Sequence, residues 1–443
     1  MKIVMFTDAY WPRINGVTVS VDSFSRSLIK AGHQVLIICS SYPATDFAAN
    51  GDQEQEGDPR IVRVPSMPAF ITKEDRIAKF NKWFWVFKQV ESFDPDIIHI
   101  NTEIMIAEFG FLYAKAHNLP AIYTFHTMWE DYAESYFPLF PPVIVRFFIR
   151  GILKNILRRS YRVIVPTPQI ETVVRKYKFK RETFLLPTGI DPDLFVHDPA
   201  EISRFREKLE TRYPALKGKR ILLFAGRVAK EKNLGFLLEI LPGILAQHPD
   251  TALLIIGNGP DLDYFEEEAA GRGVAEQCVF TGYMERKYLA LAYSISEIFV
   301  FPSLTETQGL VTLEAMFSGI PVVAIGEMGT IMVMGGDNGG FMVRNDTGEF
   351  TRRVLELMDD SELYDRKALE AKEHARSWSI DAITRRLEGV YEKVIAAYSE
   401  EYGERRLPVW ELMIDKRWWK ENNKKLQKIT NKKWHEMKMK WRH

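Results

Sequence analysis

Long apolar runs are missing from this sequence. No stretch approaches the roughly 20 apolar residues that a membrane-spanning helix needs. The opening Met1-Lys2-Ile3-Val4-Met5-Phe6 meets Thr7-Asp8 too soon to act as the apolar core of a secretory leader. Cysteine is scarce, with two residues, Cys39 and Cys278, far apart and both in apolar strand-like segments. That argues against a disulfide-stapled scaffold and fits two buried thiols in a reducing cytoplasm. Net charge is absent too: 59 basic side chains face 59 acidic ones, so global electrostatics name no partner. What is present is an ordinary globular composition, 46% hydrophobic. The 443 residues leave room for two cores and a tail, at ~150 residues per domain. If a membrane matters, the chain is expected to lie on it, peripheral on the cytoplasmic face.

Short β-branched runs alternate with helical patterns, as in parallel sheets built from βαβ units. The first half offers Lys2–Thr7, Gln34–Cys39, Arg60–Val64, Ile97–Ile100, Ala121–Phe125, Arg162–Val165 and Thr183–Leu186 as strands. The pattern restarts with Arg220–Ala225, Ala252–Ile256, Val279–Thr281, Ile298–Phe301 and Pro321–Ala324. Two such series predict an α/β protein of two doubly wound Rossmann-like domains, residues 1–190 and 191–380. Pro187–Pro199, with three prolines and a glycine, reads as the linker. A last helix follows from about Ile380 to Tyr398, within a crossover segment 381–404, and residues 405–443 form a separate tail. Residues 44–59 are polar and acidic, and a mobile surface loop is expected there.

The most informative stretch is Gly226-Arg-Val-Ala-Lys-Glu-Lys232-Asn233, directly after an apolar strand. A glycine at a strand end lets the chain turn at the carboxyl edge of the sheet, where open α/β folds bind ligands. Arg227 and Lys232 can grip an anionic diphosphate, the first by a forked contact and the second as a point charge. Ordinary solvated charges at a helix start are the plainer alternative. A second element is Pro302-Ser-Leu-Thr-Glu306-Thr-Gln-Gly309-Leu310, leading into a helical pattern that holds Glu314. Gly309 lets backbone N–H groups at the helix start approach a ligand, where the helix dipole favours negative charge. The plainer roles are a helical salt bridge for Glu314 and a first-turn acid for Glu306.

In this order and spacing, G-R-x4-K-N followed by E-x7-E with an internal E-x-x-G-L resembles the retaining GT-B glycosyltransferases of the sucrose-synthase-like family, family 4. Gly257-Asn-Gly-Pro260 and Ala315-Met-Phe-Ser-Gly319-Ile-Pro321-Val-Val extend the resemblance, which covers about residues 1–398. It implies a nucleotide-sugar donor held by Arg227 and Lys232 at the diphosphate and by Glu314 at the ribose hydroxyls. Glu306 and the backbone around Gln308, Gly309 and Leu310 would hold the sugar, with Tyr283 and Met284 lining the base pocket. Thr307-Gln308 stands where Ser/Ala-Phe is commoner. In the N-terminal half, Gly16 matches the loop that faces the phosphates across the cleft. His126, in Thr124-Phe125-His126-Thr127, matches a residue beside the transferred sugar. The implied chemistry retains anomeric configuration by a front-face route: the leaving phosphate takes the acceptor proton, and no cofactor or metal is required. Asp94-Pro-Asp96 and Asp191-Pro-Asp193 look like metal-binding motifs but read as turn formers, and His33 and His99 as structural.

Two features point to a lipid acceptor at an anionic membrane surface. Arg146, Arg150, Lys154, Arg158 and Arg162 recur every four residues among aromatic and aliphatic side chains, giving a helix with a basic band. A buried helix with snorkelling cations is the alternative. Residues 405–443 carry 13 basic against four acidic side chains, a net +9, and five of the ten tryptophans. That is the composition of an interfacial anchor. A nucleic-acid tail has a similar composition, but no nucleic-acid partner is expected of the attached enzyme. The run Thr124 to Tyr132, including Asp131 and Tyr132, together with Tyr10 and Trp11 near the start, resembles the diacylglycerol glucosyltransferases within the family. These imply UDP-glucose as donor, a 1,2-diacylglycerol 3-glucosyltransferase activity and an acceptor or membrane role for those residues. A phosphoinositide, polyprenyl-linked or soluble acceptor remains the rival, and a membrane scaffold without catalysis is a third reading.

Overall fold

The computed structural model describes residues 1–13, 15–43, 58–69, 76–126, 142–306 and 308–403. Fifteen strands occur among them: β1 (Lys2–Thr7), β2 (Gln34–Ser40), β3 (Ile61–Val64), β4 (Ser66–Pro68), β5 (Arg76–Ala78), β6 (Ile97–Ile100), β7 (Ala121–Thr124), β8 (Arg162–Val165), β9 (Thr183–Leu185), β10 (Arg220–Ala225), β11 (Thr251–Ile256), β12 (Cys278–Phe280), β13 (Ile298–Phe301), β14 (Val322–Ile325) and β15 (Gly340–Val343). The first sheet is parallel, in the order β3-β2-β1-β6-β7-β8-β9, and the second is parallel, in the order β12-β11-β10-β13-β14-β15. Both are doubly wound, so each reverses its winding beside its first strand: between β1 and β6, and between β10 and β13.

Period-two alternation along β1 shows why the first sheet needs helices on both faces. Val4 and Phe6 join a core under the helices Trp83–Phe93, Met105–Ala116 and Pro142–Arg159. Ile3 and Met5 point the other way, into a core with the helices Gly16–Lys30 and Ile380–Tyr402. The last helix therefore starts beside the second domain but packs on the first. Ile383, Leu387, Tyr391 and Val394 fill the core containing Ile3 and Met5. At its start Ile380 N–H donates to the Ile190 carbonyl at 2.7 Å. A Cβ on Gly189 would lie 2.6 Å from Ile380 Cα, so glycine is what lets the two chain crossings touch. Asp381 receives Ser27 and Lys30, each at 3.0 Å, and Glu388 faces His33 at 2.7 Å. His33 is structural, as expected.

The expected strands are found within a residue or two of their expected bounds. The antiparallel β4–β5 pair and β15 go beyond them. β15, Gly-Phe-Met-Val, is short and begins with glycine, so its β character comes from pairing with β14. The last helix runs on to Tyr402, where Tyr161 packs edge-on against Tyr398 and Tyr402. Both cysteines are buried and unpaired. Of the expected 44–59 loop, residues 44–57 lie outside the described residues, as does the tail 405–443. Asp94 adopts a left-handed helix-ending conformation, Asp96 accepts the Lys2 N–H at 2.7 Å, and Asp191 caps a short 3-10 turn.

Candidate active site

The expected donor residues gather at the second sheet's reversal point. β10 ends at Ala225, and Gly226 (φ +153°) turns the chain outward. A Cβ on Gly257 would sit 1.8 Å from the Gly226 carbonyl oxygen, and one on Gly259 2.0 Å from that of Val228. The loops after β10 and β11 thus stack backbone on backbone, a contact only glycine permits. Beyond them Lys232 closes a single 3-10 turn, and Asn233 (φ +58°) donates from its side chain to the Pro302 carbonyl at 3.2 Å. That bond ties the basic loop to the end of β13.

There the two motifs meet. Lys232 Nζ donates to Glu306 Oε2 at 3.0 Å, and Glu306 Oε1 accepts the Gly309 N–H at 3.2 Å. Gly309 (φ +72°) begins the helix Leu310–Ser318, and a Cβ there would meet Val333 at 2.8 Å. Glu306 also accepts, at its carbonyl, the Gly329 N–H at 2.8 Å. One carboxylate thus joins an ammonium and a helix N-terminus, two groups that both favour an anion. Glu306 lies ahead of the helix and not in its first turn, holding the N–H of the capping Gly309 on one oxygen and Lys232 on the other. Gln308 Oε1 accepts the Thr188 N–H at 3.2 Å, linking this loop to the interdomain crossing. Arg227 stays 61% exposed, 3.8 Å from Glu231, and points its charge into solvent.

Glu314 lies one helical turn into Leu310–Ser318 and is only 12% exposed. Its Oε2 takes a hydrogen bond from the Tyr293 hydroxyl at 3.2 Å, and its Oε1 lies 3.7 Å from Arg286. Burial pushes its pKa up, with Arg286 opposing. Neither partner was legible in the sequence, since Tyr293 and Arg286 stand 21 and 28 positions earlier without a shared motif. Tyr283 is 74% exposed and Met284 partly buried against the domain core.

In the first domain, Gly16 opens the helix Gly16–Lys30 with nothing within 4 Å of where a Cβ would be. His126 follows β7, and its Nε2 lies 3.3 Å from Asn101 Oδ1, so Nε2 donates and Nδ1 is left as an acceptor. Burial lowers its pKa to about 4, which keeps the ring neutral at physiological pH. His99 is fully buried between the Tyr391 hydroxyl at 2.7 Å and Thr124 Oγ1 at 2.6 Å, a structural role as expected. Asp8, at the first sheet's own reversal point, is saturated by Thr102, Ile104 and Ile106 and holds a helix start.

Two family models match the chain: "Glycosyltransferase Family 4" over residues 14–194 and "Glycosyl transferases group 1" over residues 205–374. An alpha-monoglucosyldiacylglycerol synthase of Streptococcus pneumoniae is 32% identical over 330 residues, 74% of this chain and 71% of that protein. The chain belongs to the family 4 GT-B glycosyltransferases. It is a hexosyltransferase. The synthase of the same name from Acholeplasma laidlawii is 26% identical and aligns with 88% of this chain and 96% of its own length. A GDP-mannose-dependent alpha-mannosyltransferase of Mycolicibacterium smegmatis is 28% identical over 73% of this chain and 79% of its own. Among solved structures, Anabaena Alr3699/HepE in complex with UDP superposes with a TM-score of 0.65 at 17% identity, over 89% of this chain and 100% of that one. At that identity the likeness shows the GT-B fold alone.

The acceptor-side expectations for this glycosyltransferase fare unevenly. Tyr10 is a correction: it is 1% exposed, sits in the core with Ile3 and Met5, and its hydroxyl donates to Asp22 at 2.9 Å. A ring drawn into the core by the turn after β1 has no surface to offer lipid. Trp11 packs partly buried against the same core, its carbonyl accepting from Arg63 at 2.7 Å. Asp131 and Tyr132 lie outside the described residues. The basic helix Pro142–Arg159 buries Val145, Ile149, Leu153, Ile156 and Leu157, and exposes Arg150, Lys154 and Arg158, while Arg146 is half-buried. Part of the aromatic and aliphatic side expected beside the basic band stays in solvent: Val143 (78%), Ile144, Phe147 (73%), Phe148 (59%) and Ile152 are all exposed. No helix among the described residues is long and apolar enough to cross a membrane.

Proposed function

We propose that this enzyme moves glucose from UDP-glucose to the free hydroxyl of diacylglycerol at the cytoplasmic face of a membrane, with retention and without a metal. The observation carrying the donor half is the convergence of Lys232, Glu306 and the Gly309 N–H at the reversal point of the second sheet. In the reaction the anomeric bond to the diphosphate breaks. Negative charge grows on the leaving phosphate while the sugar becomes oxocarbenium-like. Lys232, Arg227 and the helix start stabilise the first, and together they do what a metal ion would otherwise do. Glu306 exchanges its internal partners for sugar hydroxyls. Neutral His126 faces the sugar as a hydrogen-bonding group, not as a charge. The leaving phosphate oxygen takes the acceptor proton.

The acceptor half rests on the exposed aromatic and aliphatic end of Pro142–Arg159 beside its basic band. An apolar cluster next to Arg150, Lys154 and Arg158 suits an anionic bilayer surface, the rings seated among headgroups and the cations over lipid phosphates. The two relatives named alpha-monoglucosyldiacylglycerol synthase favour the same acceptor. The test is purified full-length chain with diacylglycerol in anionic vesicles, a panel of labelled UDP- and GDP-sugars, and EDTA throughout. Transfer from UDP-glucose, giving an α-linked lipid product by proton NMR, is expected. Transfer confined to GDP-mannose, to a phosphoinositide or to soluble sugars, or abolished by EDTA and restored by manganese, would overturn it.

A further inference from the structure

Glu314 has two oxygens and two protein partners, and the partners differ in kind. Tyr293 is fully buried, and its hydroxyl sits 3.2 Å from both Glu314 Oε2 and the Val311 carbonyl. Such a hydroxyl serves either protonation state: it donates to the carboxylate, or donates to Val311 and accepts from a protonated carboxyl. Arg286, 3.7 Å from Oε1, is beyond hydrogen-bond length and acts through its charge. Its neighbour Lys287 pairs with Glu285 instead, so Arg286 is the cation of that helix turn that serves Glu314.

We propose that Arg286 is a positioning residue of the donor site, holding the Glu314 carboxylate ionised so that both oxygens keep a lone pair for the paired hydroxyls of a nucleotide ribose. The proposal rests on the reading of Glu314 as the ribose acid. An ionised carboxylate offers about four acceptor positions. Tyr293 donates to one oxygen, the 44% exposed Arg286 faces the other, and 12% of the Glu314 side chain stays open to solvent. A protonated carboxyl gives up one acceptor and turns a donor toward hydroxyls that need acceptors.

The surroundings leave this task to Arg286. Burial raises the Glu314 pKa, and the negative Glu306 raises it further. The neighbouring 3-10 turn Pro192–Phe195 sets the Phe195 ring against Tyr293 and Phe317, and its Asp193 acts on Lys30 of the first domain. The helix Met328–Met334 has no charged residue, and Lys372 of Ser361–Ala375 lies at Gly319, beyond the far end of the helix. Arg286 is therefore the one cation among the described residues that acts on this acid.

The experiment is calorimetric binding of UDP and GDP to the full chain from about pH 5 to about pH 8, using whichever diphosphate the wild type binds more tightly. Arg286→Ala is expected to match wild type at the alkaline end and to lose affinity toward acid, its acid limb moved to higher pH. Arg286→Lys restores the wild-type limb. Glu314→Gln binds weakly at every pH and keeps only the limb of the diphosphate's own terminal phosphate. An Arg286→Ala profile parallel to wild type, whether equal or uniformly weaker, overturns the proposal. Wild-type affinity in Glu314→Gln overturns the ribose reading itself, a result separable from failure at Arg286 alone.

Discussion

Replacing Phe147 and Phe148 together by serine isolates the membrane step from the fold. Both rings lie on the free face of Pro142–Arg159, 73% and 59% exposed, in edge-to-face contact with each other at 6.0 Å between centroids. Together they leave roughly 250 Å² of ring surface in water, worth at most about 6 kcal/mol at ~25 cal/mol per Å². Interfacial seating that dries about half of that area yields about 3 kcal/mol, roughly a 100-fold change in vesicle partitioning. Since the rings contribute little to the core, the melting temperature should stay within a degree or so. Leu153→Ala is the contrasting variant: this residue is buried, so its loss should cost ~2–5 kcal/mol of stability and leave membrane affinity per folded molecule unchanged. Co-sedimentation with anionic vesicles, beside thermal melts, reads both effects. Unchanged sedimentation of the double serine variant would refute the docking argument.

Arg227→Ala or Lys232→Ala should lower turnover by at least ~100-fold, the scale of removing one charge stabiliser, and wild-type turnover in either would refute the site. Removing residues 405–443 should weaken vesicle binding, most at low salt, because their +9 charge acts over a Debye length of ~8 Å; equal, salt-insensitive binding would sink the anchor. Stability should fall as pH drops from about 6.5 toward about 4, where unfolded histidines take up protons that His99 (about 3) and His126 (about 4) refuse while folded. His99→Gln should flatten that slope in a melting series, and an unchanged slope would place its origin elsewhere.

Much of the framework was legible because its signals are local. Apolar runs of four to seven residues separated by helical patterns define the parallel strands, and a strand buried on both faces must be apolar throughout. Gly226-Arg227 and Glu306 to Leu310 were readable as candidate site elements because each follows a strand end, where parallel α/β folds bind ligands. Cys39 and Cys278 were rightly read as buried thiols. β15 escaped because its apolar run, Phe341 to Val343, is only three residues long behind a glycine, and pairing with β14 completes the strand.

The three-dimensional arrangement decided everything that depends on two distant segments meeting. Lys232 and Glu306 are 74 positions apart, and their 3.0 Å contact exists because β10 and β13 are neighbours in the second sheet. Tyr10 carries an expected acceptor or membrane role beside Trp11 until the fold turns it into the core against Asp22. The helix Pro142–Arg159 shows basic and apolar residues in its sequence, but which apolar residues are core and which face solvent depends on the sheet it packs against. Sequence fixes a side chain's chemistry and its local periodicity. Exposure and partnership are properties of the packing, and here they separate the two apolar faces of that helix and supply Arg286 and Tyr293 to Glu314.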